Sequence, residues 1–154
     1  MKTLFLYLTL LLVSAQIYSQ NLQKSIWGCE MGCSKATVKK AIDKLGFKQS
    51  PTIGEKILVN NVDFCGHYFD YVVFSFYLDE LHTCEFHITP KQKTEIKSYV
   101  NFFKDRYGQP DNIDNNNIHY YNDGQNFIIF QGTEDRFMIV FCNDKILNKS
   151  LKGE

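Results

Sequence analysis

The sequence predicts an α+β fold of two layers, an antiparallel sheet covered by two helices. Three observations predict it. Two segments carry an apolar stripe at helical spacing between capping residues. The segments after each of them read as strands with turn residues at their joints. The resulting order, helix, three strands, helix, three strands, reads as one helix-plus-three-strand unit written twice. A chain of 154 residues has room for one such domain. Its hydrophobic fraction of 44% and aromatic fraction of 15% can fill a core and argue against disorder. The 17 basic side chains balance 17 acidic ones, so no global field draws a polyanion. Nucleic acid is therefore not an expected partner.

Met1-Lys2-Thr3 precedes an apolar run from Leu4 to Val13, and small residues Ser14 and Ala15 follow. A single Lys, a short apolar run and a small-residue exit predict a signal peptide over residues 1–19, cleaved after Ala15 or Ser19. The run is shorter than the roughly 20 apolar residues that span a bilayer. No later segment approaches that length, so the mature chain is expected to have no membrane span. The expected location is extracytoplasmic, in the periplasm or the medium. No Cys stands near the exit, so no lipid anchor is expected.

The domain is expected over residues 26–143, in halves 26–89 and 90–143. Ser34 is an N-cap and Gly46 a C′ residue, and Val38, Ala41, Ile42 and Leu45 form one stripe between them. Helix one is therefore placed over 35–45. Strands follow at Ile57–Phe64, Tyr68–Tyr77 and Leu81–Thr89. The second and third form a hairpin whose register has two solutions. A two-residue turn at Asp79-Glu80 pairs Phe74 with Glu85. A three-residue loop, Leu78-Asp79-Glu80, puts Val72, Phe74 and Phe76 on one face with Cys84, Phe86 and Ile88. A one-residue slip flips every side chain, so the burial pattern selects the loop. The opposite face then carries Tyr71, Val73, Ser75, Tyr77, Thr83, Glu85 and His87.

Thr89-Pro90-Lys91-Gln92 has the N-cap, first-position Pro and third-position Gln of a helix start. Ile96, Tyr99, Val100, Phe103 and Tyr107 continue the stripe to Gly108, which places helix two over 90–107. Pro110–Asn117 reads as a surface loop. Strands follow at Ile118–Asn122, Gln125–Gly132 and Arg136–Cys142, with a tight hairpin at Asp123-Gly124. Residues 144–154 read as a flexible tail. Phe74, Phe86 and Phe103 are expected to meet between the sheet and helix two.

The five cysteines all follow the predicted leader. Cys84 and Cys142 lie inside strand patterns and read as small core residues. Cys29, Cys33 and Cys65 lie beside turns, and a disulfide, if formed, should use two of those three. Cys29, Cys33, Cys65 and His67 do not have the spacing of a zinc finger or ribbon, and no metal site is expected. Asp63, Cys65 and His67 lie in a turn rather than a nucleophilic arrangement. His82 and His87 differ by five positions, so strand alternation points them to opposite faces. Lys35, Lys39 and Lys40 read as a solvated helix face. No phosphate loop or hydrolase motif is present, so neither a catalytic residue nor a cofactor is assigned.

A further indication comes from Trp27-Gly28, Gly32-Cys33-Ser34, Val38, Ala41 and Leu45-Gly46-Phe47. With Phe74-Ser75-Phe76, Asp79-Glu80-Leu81 and Tyr107-Gly108-Gln109-Pro110, they span nearly the whole mature chain. Together they resemble small exported proteins of the beta-lactamase-inhibitor-like fold, a group that includes uncharacterised secreted proteins of Bacteroidota type. The resemblance implies that fold and a binding role, and it carries over no catalytic residue.

The expected function is thus a non-enzymatic exported module that binds a protein or cell-envelope component. A small secreted enzyme using a cysteine, as hydrolase or thiol redox catalyst, is one alternative. A structural envelope protein without a discrete site is another. The expected binding face is the sheet surface away from the helices, with Tyr71 and Tyr77 as its aromatic anchors. The export reading has a direct check. Protein purified from the producing cell should begin at Gln16 or Gln20 on N-terminal sequencing, and an intact Met1 on a cytoplasmic protein would contradict it.

Overall fold

A computed structural model describes residues 25–51, 53–89, 93–114, 118–132 and 136–153. The expected leader, residues 1–19, lies outside the described residues. So does the predicted capping sequence at 90–92.

The described chain starts with a small hairpin that the sequence reading did not contain. Strands β1 (Ser25–Ile26) and β2 (Cys29–Glu30) pair antiparallel around Trp27-Gly28. Both turn residues have positive φ, 52° and 79°, as a two-residue turn of primed type requires. A second turn follows, closed by Cys33 N–H donating to the Glu30 carbonyl at 3.1 Å. It leads straight into α1 (Lys35–Lys44). Ser34 caps that helix, its hydroxyl accepting from Thr37 N–H at 3.3 Å. Asp79, from a distant hairpin, accepts from Lys35 N–H at 3.0 Å, so a carboxylate satisfies a second orphan amide of the same helix start. Lys35 is not a solvated residue as expected. Its ammonium donates to the Gly54 carbonyl at 2.8 Å and pairs with Glu55 at 3.3 Å, which ties α1 to the chain entering the sheet.

The main sheet has seven antiparallel strands in the order β3-β4-β5-β9-β8-β7-β6. They are β3 (Lys56–Phe64), β4 (His67–Tyr77), β5 (Glu80–Ile88), β6 (Asn112–Ile113), β7 (His119–Asn122), β8 (Asn126–Gly132) and β9 (Phe137–Asn143). Helix α2 (Lys93–Tyr107) joins the two halves. The halves enter the sheet in mirrored order: β5 and β9, the last long strand of each, lie side by side at the centre. With the two-stranded sheet and the helices, the fold is mixed α+β. Strand limits differ from expectation by at most one residue, and a short strand, β6, lies within the predicted 110–117 loop.

One face of the sheet is the core. Ile57, Val59, Phe69, Val72, Phe74, Cys84, Phe86 and Ile139 each have no measurable exposure. Phe86 is its centre, with ring centroids at 4.5 Å from Phe64, 5.0 Å from Phe69, 5.7 Å from Phe141 and 6.1 Å from Trp27. Phe74 reaches this group through Trp27, at 5.8 Å. Phe103 of α2 does not join them directly. It packs on Phe130 at 4.5 Å, while Tyr99 links Phe69 at 5.3 Å to Phe137 at 5.7 Å. The aromatic core is therefore two clusters bridged by Tyr99.

The hairpin β4–β5 resolves the register question in a way neither expectation contained. Tyr77 pairs with Glu80 around the two-residue turn Leu78-Asp79, whose φ values are 47° and 65°. Beyond it Phe76 pairs with Leu81 but Ser75 with Thr83, so His82 is an extra residue, a β-bulge. The bulge restores Phe74 opposite Cys84 and Val72 opposite Phe86, the faces that the burial pattern required. The β7–β8 turn also shifts by one. Asp123 N–H donates to the Asn126 carbonyl at 3.2 Å, which makes Gly124-Gln125 the central pair.

Residues 144–153, expected to belong to a flexible tail, form a capped helix. Helix α3 (Asp144–Lys152) begins directly where β9 ends. The Asn143 carbonyl oxygen of its side chain accepts from Ile146 N–H at 3.1 Å, and Gly153 ends it with φ 70°. Ile146 is buried and anchors the helix beside Gly32, where an added Cβ would lie 3.4 Å from the Ile146 Cδ1.

Two substitutions probe this description. Phe86→Ala should destabilise the domain by about 3–5 kcal/mol in chemical denaturation, through lost burial and a cavity. A loss below about 1 kcal/mol would mean that Phe86 is not the core centre. Asn143→Ala should cost about 1 kcal/mol more than Asn126→Ala by uncapping α3, since both variants lose the bond from Asn143 to Asn126; equal costs would mean that the cap is not formed.

Candidate functional site

The outer face of the sheet departs from the usual polar solvent face of an antiparallel sheet. Leu58, Val73, Glu85, Val140, Ile129 and Tyr120 are successive cross-strand neighbours over six strands, each only half-buried. The next row is Asn60, Tyr71, His87, Met138 and Gln131. Apolar side chains thus run across this face, interrupted by one carboxylate near the middle.

That carboxylate is built into a small polar cluster. His87 Nε2 lies 3.2 Å from Glu85 Oε2, two positions along β5 on the same face. Its ring stacks on Tyr71 from β4, with centroids 4.5 Å apart and planes 14° apart. Tyr71 and His87 are a direct cross-strand pair, the geometry that brings rings into contact. The His87 hydrogen bond holds the Glu85 carboxyl below the usual glutamate range, against a burial effect that pushes it up. The charges of His87, Lys56 and His82 act in the same direction as the hydrogen bond.

The structure overturns the expectation that His82 and His87 face opposite sides. Alternation fails at the bulge, and His82 comes to the outer face with Thr83 and Glu85. The three line an open groove of about 620 Å³, together with Val140, Cys142 and Leu147 of α3. His82 Nδ1 is 2.6 Å from the Thr83 hydroxyl. Burial pushes the His82 imidazole down, opposed by the charge of Glu85. Among the described residues, no group of three His, Cys, Asp or Glu side chains is placed to hold a metal ion.

Tyr71 and Tyr77 both lie half-buried on β4. They stand six positions apart, roughly 20 Å at strand rise, and buried Ser75 lies between. They belong to one face but not to one patch. Tyr71 sits in the ring stack, and Tyr77 stands beside the Leu78-Asp79 turn. The cluster partner that the sequence reading left out of its anchors is His87. Its pairing with Tyr71 follows only from the register.

The cysteines occupy separate environments. Cys65 is exposed in the Cys65-Gly66 turn between β3 and β4. Asp63 accepts there from Gly66 N–H at 3.1 Å, and the His67 ring packs on Tyr99 at 4.8 Å and Phe102 at 4.5 Å. Those three residues shape a turn and a packing contact. Cys84 and Cys142 are buried, and burial raises both thiols, Cys142 to about 11. Cys29 is buried and also raised by burial, with a hydrogen bond to Cys33 opposing. Burial and then the neighbouring Cys29 push Cys33 up to about 12. A nucleophilic thiol needs the opposite shift.

No family model matches the chain, and no curated protein or solved structure is significantly similar to it. Among the described residues no helix is long and apolar enough to cross a membrane.

The Glu85–His87 bond gives a pH prediction. A carboxyl whose folded value is depressed contributes stability above its ordinary value, near about 4.3, and loses it as pH falls through the folded value. His87→Ala should raise the Glu85 titration seen by carbon NMR. The stability advantage of wild type over the variant should shrink as pH drops below about 4.3. An unchanged Glu85 titration would mean that the bond is not made in solution.

Proposed function

We propose that this chain is an exported, non-enzymatic module that binds a protein or another component of the cell envelope through the outer face of its sheet. The observation that carries the reading is the row Leu58, Val73, Glu85, Val140, Ile129 and Tyr120, half-open to solvent and apolar but for Glu85, which His87 and Tyr71 of the next row join in one cluster. A largely apolar surface with a few polar groups set into it is the composition of an interface. The reading takes α1 and α2 as the cover of the other face, which makes the domain two-layered and leaves this face to a partner. Burial disfavours thiolates at Cys29, Cys33, Cys84 and Cys142, and exposed Cys65 stands in a turn whose His67 ring is packed on Tyr99 and Phe102, which together favour a binding role over a cysteine enzyme. The resemblance to exported inhibitor-like proteins agrees with a binding role.

The test is capture from an envelope extract with wild type and with the double variant Tyr71→Ala, Val73→Ala. Aromatic anchors cost about 2 kcal/mol or more when truncated, so capture should weaken by more than about tenfold. The melting temperature is measured on the same samples. Equal capture by the two proteins removes this face from the proposal. Lost capture together with a collapsed melting temperature assigns both side chains to the fold instead.

A further inference from the structure

The turn between β2 and α1 holds two thiols that the outer face does not use. Cys29 is 2% exposed and ends the small hairpin. Cys33 lies directly before the N-cap of α1 and is partly open to solvent. Between them runs the turn closed by the Cys33 N–H bond to the Glu30 carbonyl. The turn is held on β5 by two further bonds: Gly32 N–H donates to the Leu81 carbonyl at 2.8 Å, and Leu81 N–H donates to the Cys33 carbonyl at 2.9 Å. These constraints fix both Cys backbones at the two ends of one turn, where each thiol is near enough to shift the titration of the other. Cys65 stands in the β3–β4 turn and acts on neither thiol. Cys84 lies on the core face of β5, wholly buried.

We propose that Cys29 and Cys33 form a disulfide by exchange with an external disulfide, so that the turn leading into α1 is an oxidation site of this protein. Cys33, the more accessible thiol, attacks the disulfide RS–SR as its thiolate. A Cys33–SR bond forms, the S–S bond of the reagent breaks and one RS⁻ leaves. Cys29 then attacks the Cys33 sulfur as its thiolate, the Cys29–Cys33 bond forms and the second RS⁻ leaves. The two protons released by the protein thiols end on two RSH, and the two electrons lost by the protein reduce RS–SR. Burial keeps the thiolate fraction of both groups small, which makes the exchange slow at neutral pH and faster in alkali. The bond would hold together the hairpin that carries Trp27 and the cap residue Ser34.

The sequence offers a clean readout. Cleavage after Lys24 and Lys35 releases Ser25–Lys35, which contains Cys29 and Cys33 and no other cysteine. The reduced full chain is equilibrated with oxidised and reduced glutathione at alkaline pH, and remaining thiols are alkylated in denaturant. The expected product is this peptide, unalkylated and lighter by two hydrogens. In Cys29→Ser the expected product is glutathione retained on Cys33. The exchange equilibrium constant should be at least about tenfold larger for the folded chain than in urea, because the fold brings the thiols together. A doubly alkylated peptide, a link to the peptide carrying Cys65 and Cys84, or equal constants in the folded and unfolded chain would each overturn the proposal.

Discussion

Strand β5 has to satisfy two demands that differ by one residue. Its turn to β4 is the tightest available, Leu78-Asp79, and its apolar residues Cys84, Phe86 and Ile88 must face the core with Val72 and Phe74. A regular ladder from that turn would expose the whole apolar set. The bulge at His82 absorbs the difference, and β5 is the strand on which both halves of the sheet meet. Phe86 reaches the centre of the aromatic core because of it. On the other face the same extra residue turns His82 towards Thr83 and Glu85, so one local irregularity sets the core register and furnishes the groove.

The two faces of β5 show how environment separates similar groups. Cys84 and Phe86 look into a region without solvent, where a thiol is held neutral. Glu85 and His87 look outward, where a carboxylate keeps its charge because an imidazole bonds to it and solvent still reaches it. The side chains alternate, and so does the chemistry they can perform. The Tyr71 ring covers His87 and joins this polar pair to the apolar row beside it.

Much of the fold was legible because its signals are local. Ser34 and Gly46 bound α1 as capping physics requires, and the stripe from Ile96 to Tyr107 marks α2. The face assignment of β4 and β5 follows from burial alone. The turn did not, since Leu78 takes a left-handed conformation that its side chain disfavours and no glycine announces it. Helix α3 carries a readable cap, Asn143, and a readable stop, Gly153. Position near the end of the chain hid it, although Ile146 needs a buried partner. At the candidate site, Tyr71 was recognisable by type and face. Its contact with His87 depends on register across two strands, and His82 depends on a bulge. Neither is encoded in the periodicity of a single strand.

The mirrored strand order also governs how the molecule is assembled in time. Hairpin β4–β5 closes through neighbours in sequence, but the central seam joins Thr83 to Cys142 and Ile88 to Phe137, from opposite halves of the chain. Contacts of such long sequence separation form slowly, because loop closure is costly before they reward it. Until β9 arrives, β5 presents a free edge and a bare aromatic surface, the features from which chains aggregate. The last long strand to be synthesised is therefore the one that closes the sheet, and a chain cut short before Phe137 would leave its stickiest strand unpartnered.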